Sequence, residues 1–183
     1  MSLAEQTSHE ADSATISASI RAILDRQKAA HIKEGPVSAE RRIDWMDRAI
    51  ALLVDNQKEI VEALASDFGH RSHEQTLLTD VMGSIGPLKH AKKHVRQWMK
   101  PEKRKVQFPL NLLGAKARIE YQPLGTVGII SPWNFPVNLT WTPLAGVFAA
   151  GDRAMIKPSE FTPATSELMA RLLRQAYDET EVA

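Results

Sequence analysis

Apolar residues recur at steps of three and four through the first hundred positions, then alternate or gather in short runs. The chain therefore reads as a helical half followed by an α/β half. Ile16, Ile20, Ile23 and Leu24 mark a short amphipathic helix that should end near Gly35-Pro36. Ser38 is placed to cap the next helix, with Glu40 at the positive end of its dipole. Ile43, Met46, Ile50, Leu53, Gln57, Ile60 and Leu64 predict one stripe along a long helix, and Gly69 a stop after it. Leu78, Val81, Ile85, Leu88, Lys92, Val95 and Met99 predict a third helix, bent at Gly83 and Gly86-Pro87.

After Pro101 the period changes. Lys116 to Tyr121 alternates polar and apolar residues, as a half-exposed strand does. Pro123-Leu124-Gly125 makes a turn into Thr126–Ile130, a β-branched run that predicts a buried strand. A helix is expected over Val137–Ala150, stopped by Gly151, and a second buried strand over Arg153–Lys157. Thr162 opens the last helix with Pro163 in its first turn, and Ala164, Leu168, Leu172 and Ala176 share one face. Strand, helix, strand, helix begins a parallel α/β sheet with a right-handed crossover. Two parallel strands leave faces and an edge open, so the 183 residues are expected to be the front part of a larger protein.

Composition narrows the function classes. The chain is 43% hydrophobic and 25% charged, as ordinary globular proteins are. Its net charge is 23 − 22 = +1, which gives no general pull toward nucleic acid or an anionic membrane. It has no cysteine, hence no disulfide, thiolate metal site or cysteine nucleophile of its own. Residues 1–15 are polar and acidic without a signal-peptide core, and no run is long enough to span a bilayer, so a cytoplasmic location is expected. Lys89 to Lys105 holds eight Lys or Arg against one Glu, read as a solvated helix face rather than a nucleic-acid site. Asp67, His70 and His73 fall in an irregular loop with no further ligand, so no metal is expected. Trp45, Trp98 and Trp141 sit at helical positions and are expected to pack.

Two strings could carry chemistry. Ser131-Pro132-Trp133-Asn134-Phe135-Pro136 follows the strand ending at Ile130, where ligands bind in parallel sheets. The two prolines restrict the backbone around Asn134, whose NH₂ could then meet a developing oxyanion without reorganising. The alternative is a local turn bond from Asn134, with Trp133 and Phe135 in the core. Lys157-Pro158-Ser159-Glu160 lies past the next strand, and its lysine and carboxylate could both reach the vicinal hydroxyls of a sugar. The alternative there is a solvated lysine and a glutamate assisting the next helix.

The stretch from Gln122 to Thr165, with Pro-Leu-Gly-Thr-Val-Gly-Ile-Ile-Ser-Pro-Trp-Asn-Phe-Pro and Arg-Ala-Met-Ile-Lys-Pro-Ser-Glu-Phe-Thr-Pro, resembles the NAD(P)-dependent aldehyde dehydrogenases. It is most similar to the shorter, usually dimeric branch that includes coniferyl aldehyde dehydrogenases. The resemblance implies an incomplete Rossmann-like cofactor domain: a flexible polar arm over residues 1–15, helices over 16–105, a β-hairpin region over 106–123, and the first βαβα units over 124–183. It further implies oxidation of an aldehyde to a carboxylate through a cysteine thiohemiacetal, with Asn134 holding the oxyanion. Lys157 and Glu160 would contact the adenosine ribose, and Ile130, Ser131, Pro132 and Trp133 would line the cofactor channel, partly through backbone atoms. NAD is favoured because a 2′-phosphate would meet the Glu160 charge, with NADP as the alternative. The partners implied are an aldehyde and a second copy in a homodimer, with no nucleic acid and no membrane. The family's cysteine, its general-base glutamate and its nicotinamide-side glycines lie beyond Ala183, and the chain has no G-x-G-x-x-G string. Alone it is expected to be inactive. The rivals are a non-enzymatic helical scaffold, which intact mass would distinguish, and an acyl-phosphate or semialdehyde reductase on the same fold, which acyl substrates would reveal.

Overall fold

A computed structural model describes residues 3–183 of the chain, with side chains from residue 13 onward. Helix α1 runs from Leu3 to Glu34, so it is continuous through the segment expected to be a polar arm and is not the short helix the isoleucine spacing predicted. Its C-terminal part is anchored on the sheet. The buried Gln27 donates from Nε2 to the carbonyls of Ala154 and Glu179, both at 2.9 Å.

Helix α2 covers Ala39–Asp55 and begins as predicted, with Ser38 Oγ accepting from the Arg41 amide at 3.2 Å. The long helix expected through Leu64 is in fact two, because the chain breaks at Asn56 and resumes as α3, Gln57–Phe68. Asn56 turns its own Nδ2 back onto the Leu52 carbonyl at 2.9 Å, a local bond of the kind that competes with helix propagation. Gly69 ends α3 in the left-handed conformation, φ +70°. A single turn, α4 (His73–Thr76), leads through a π-helical turn (Leu77–Met82) into α5, Gly83–Trp98.

Strands β1 (Glu102–Arg104) and β2 (Ala117–Ile119) pair antiparallel. The hairpin thus starts at Glu102 rather than 106, and β2 is exposed on both faces rather than half-exposed. Strands β3 (Thr126–Ile130) and β4 (Arg153–Lys157) pair parallel, joined by α6 (Asn138–Ala150). Helix α7, Pro163–Ala176, starts with proline in its first turn as expected. Val182 bridges Ala154, and Ala183 exchanges hydrogen bonds with Ala154 and Ile156, so the last residues add to the free edge of β4.

The core forms where α6 packs on both strands and against α2 and α5. Trp45, Met46, Leu53, Leu88, Val95, Trp141, Leu144 and Phe148 are buried there. Trp45 and Trp141 pack as expected, whereas Trp98 lies at the surface and stacks on His94. Gly151 is required twice over where α6 stops: its φ is +82°, and a Cβ would fall 2.7 Å from the Arg42 guanidinium, which binds the Ala149 carbonyl. Strand β3 is less buried than its composition predicts, with Ile129 covered but Ile130 83% exposed. Among the described residues, no helix is long and apolar enough to cross a membrane.

Candidate functional site

The C-terminal ends of β3 and β4 lie side by side. Ile130 is paired with Lys157 in register, and the Ser131 amide donates to the Lys157 carbonyl at 3.0 Å. The two sequence strings singled out for chemistry, residues 131–136 and 157–160, therefore leave the sheet from adjacent positions.

Lys157 Nζ donates to Glu160 Oε2 at 2.5 Å, and both side chains are well exposed. That hydrogen bond, together with the Glu160 amide and the lysine's charge, holds the Glu160 carboxyl below the usual carboxylate range. The pair thus presents an ammonium donor beside a carboxylate acceptor. This donor set fits the vicinal hydroxyls of a ribose, which donate to the carboxylate and accept from the ammonium. The amides that open the next helix are bonded by Asp67, whose two carboxylate oxygens accept from Ala164 and Thr165 at 3.0 and 2.8 Å. Among the described residues, no group of three or more His, Cys, Asp or Glu could hold a metal ion.

The side chain of Asn134 is exposed and makes no hydrogen bond to any other described residue. Its carboxamide is free to donate outward. Ser131 is buried, its hydroxyl is paired with Thr140 Oγ1 at 2.7 Å and its amide with Lys157, leaving its backbone carbonyl for a ligand. Ile130 and Pro132 are exposed. Trp133 is 53% exposed, with one side of its ring 6.3 Å from that of Phe68.

What the sequence did not reveal is how this loop is held. Arg71, between α3 and α4, donates from Nη1 to the Asn134 carbonyl at 2.7 Å and from Nη2 to Asp80 at 2.5 Å. Its guanidinium lies between the rings of Phe68 and Phe135, 5.0 and 4.9 Å from their centroids. Asp80 is fully buried, and its other oxygen accepts from the Asn138 amide at 3.2 Å, capping α6 from a different helix. Burial pushes its carboxyl up, against the pull of the α6 amides and Arg71. Asn138 Nδ2 in turn donates to the Thr79 carbonyl at 2.8 Å, inside the π-helical turn. Gly83 makes this possible, since a Cβ there would sit 2.6 Å from that nitrogen. The only local signal for any of this was the glycine at a predicted bend.

A layer of helices thus clamps a loop that offers a free carboxamide, next to a lysine–carboxylate pair at the end of a parallel sheet. The family model described as the aldehyde dehydrogenase family matches residues 4–182, and the chain belongs to that family. It is 64% identical over 162 residues to a probable coniferyl aldehyde dehydrogenase of Caulobacter vibrioides, covering 88% of this chain and 33% of that protein. It is 55% identical over 159 residues to the coniferyl aldehyde dehydrogenase of a Pseudomonas species, covering 87% and 32%. The substrate-bound structure of Staphylococcus aureus AldH superposes with a TM-score of 0.82 at 30% identity, over 89% of this chain and 35% of that one. The chain spans about a third of the length of the relatives it matches.

Proposed function

We propose that the chain forms the cofactor-side part of an NAD(P)-dependent aldehyde dehydrogenase that oxidises an aromatic aldehyde of the coniferyl type to its carboxylate. The observation that carries this reading is the unpaired carboxamide of Asn134, on the backbone-anchored loop that leaves β3 beside the strand end carrying Lys157. In it, the Asn134 Nδ2–H donates to the oxygen of the aldehyde carbon as that oxygen gains negative charge. A donor whose backbone is anchored before the reaction, as the Asn134 carbonyl is by Arg71, meets that charge with less reorganisation. Glu160 accepts from the ribose hydroxyls of the cofactor and Lys157 donates to them. The exposed Ile130, Pro132 and Trp133 and the backbone of Ser131 form the adjoining wall. When bound, NAD(P)⁺ supplies the acceptor for the two electrons and the hydrogen leaving the aldehyde carbon. The thiolate that attacks the aldehyde comes from outside these residues, which hold no cysteine. The names of the two coniferyl aldehyde dehydrogenases support the substrate class. The exposed β1–β2 hairpin, with Ile119 and Tyr121 bare, is a surface suited to pairing two copies as a homodimer.

Full-length enzyme should form NADH on adding coniferyl aldehyde, with a higher kcat/KM than for acetaldehyde. No aldehyde-dependent NADH, or a preference for acyl phosphates, would overturn the reading. Cofactor choice gives a second check. The ionised Glu160 repels a 2′-phosphate, so Glu160→Gln should raise kcat/KM for NADP⁺ relative to NAD⁺ by roughly five- to tenfold, the solvent-screened effect of one nearby charge. An unchanged ratio would remove Glu160 from the ribose site.

A further inference from the structure

We propose that Arg71 is a positioning residue for catalysis: it bridges the carbonyl of Asn134 and the carboxylate of Asp80, and so sets the direction in which the Asn134 carboxamide points. The inference rests on the oxyanion role proposed above for Asn134.

The guanidinium is held at both terminal nitrogens and against two rings, while its buried Nε has no hydrogen-bond partner. Its Nη1 is committed to Asn134 and its Nη2 to Asp80, with Thr79 Oγ1 a further 3.4 Å neighbour. The rings of Phe68 and Phe135 hold its two neighbouring flanks. Fixing the carbonyl of Asn134 fixes the peptide plane that follows its Cα, and with it the backbone from which the side chain projects. Asp80 extends the grip. One of its oxygens receives Arg71 and the other the Asn138 amide, so a single ion pair holds both ends of the segment 134–138. Phe68 also touches Trp133, steadying the residue before Asn134.

Stability alone is a poor reason for such a pair. A buried carboxylate and guanidinium lose hydration that their attraction barely returns, and apolar residues of like volume usually serve as well. A planar fork with two orthogonal tasks is different, because no apolar side chain and no lysine can hold two acceptors in that geometry. Catalysis gains from it because an oxyanion donor works in proportion to its placement, and a shift of about 1 Å can cost up to ~10² in rate.

A double-mutant cycle in the full-length enzyme separates positioning from mere structural support. Arg71→Lys keeps the charge beside Asp80, so the fold is retained, but a single ammonium replaces the fork. It should lower kcat by roughly ten- to a hundredfold and leave the KM for NAD⁺ unchanged, since neither Lys157 nor Glu160 touches Arg71. In an Asn134→Ala background the same change should cost nothing further, because there is no carboxamide left to aim. Asn138→Ala, which removes the bond to Thr79 without disturbing a charge, should behave alike with a smaller factor. Thermal unfolding of each variant reports the structural part. Equal factors for Arg71→Lys in both backgrounds, or an unchanged kcat, would overturn the inference while leaving the oxyanion reading intact. An unchanged kcat for Asn134→Ala alone would bring down the oxyanion reading, and this inference with it.

Discussion

Asn134→Ala in the full-length enzyme is expected to lower kcat by roughly 10²–10³, the usual cost of deleting one oxyanion donor, with no change in thermal stability. Both halves follow from one geometry. The side chain is exposed and bonded to no other described residue, so its loss leaves no cavity and no unpaired partner. Surface changes of that kind normally shift stability by less than about 0.5 kcal/mol. Had Asn134 closed a local turn through its side chain, the same substitution would lower the melting temperature and spare the chemistry. NAD⁺ affinity, read by fluorescence titration, should also hold, since the contacts assigned to the ribose lie on Lys157 and Glu160. A drop in kcat together with unaltered cofactor binding and melting temperature is the signature to look for. Wild-type turnover in the alanine variant would exclude the oxyanion role.

The loops that offer these groups were legible from sequence because their positions depend on short-range rules. A β-branched run followed by Ser-Pro-Trp-Asn-Phe-Pro places a constrained polar residue just past a strand, and the register of β3 with β4 then puts Lys157 beside Ile130. Serine at 38, glycine at 151 and proline at 163 likewise marked helix ends correctly because capping is local chemistry. The supports of the loops were not legible. Asp67 caps α7 from 97 residues away and Asp80 meets α6 from 58 residues away, so no window of sequence contains both partners. Asp67, set aside as a metal ligand beside His70 and His73, has its oxygens committed to backbone amides that no local signal pointed to. The break at Asn56 escaped because the apolar steps run straight through it, and periodicity carries no information about a side chain turning back on its own helix. Two aspartates from the helical layer thus cap the two helices that begin where the loops of the candidate site end. This couples the first half of the chain to the candidate site in the second.

Removing that coupling at its center should be costly and sensitive to pH. Arg71→Met keeps most of the bulk between Phe68 and Phe135 but strips Asp80 of its counter-charge. Breaking one side of a buried pair typically costs about 3–5 kcal/mol. Burial already pushes the Asp80 carboxyl above its ordinary value of 3.8 in the native protein, and losing Arg71 removes one of the influences holding it down. The folded-state value in the variant therefore rises further, while the unfolded value stays ordinary. A group raised on folding binds its proton more tightly in the native state, so its contribution to stability is intact at low pH and is lost as pH rises through the raised value. The groups facing Asp80 are Arg71, the Thr79 hydroxyl and the amides of Asn138 and Val137, and none of the remaining three can supply a charge to replace the guanidinium. Urea denaturation of wild type and variant should therefore show a deficit of about 3–5 kcal/mol near pH 8 that shrinks as the pH is lowered toward 5, because the buried Asp80 takes up a proton more readily than in the unfolded chain. Pairing Arg71→Met with Asp80→Leu should recover much of the loss and flatten its pH dependence, because an apolar pair has no charge to strand. A deficit that is the same at both pH values, or that grows as the pH falls, would mean that Arg71 contributes through its ring contacts and its bond to Asn134 rather than by balancing the buried carboxylate.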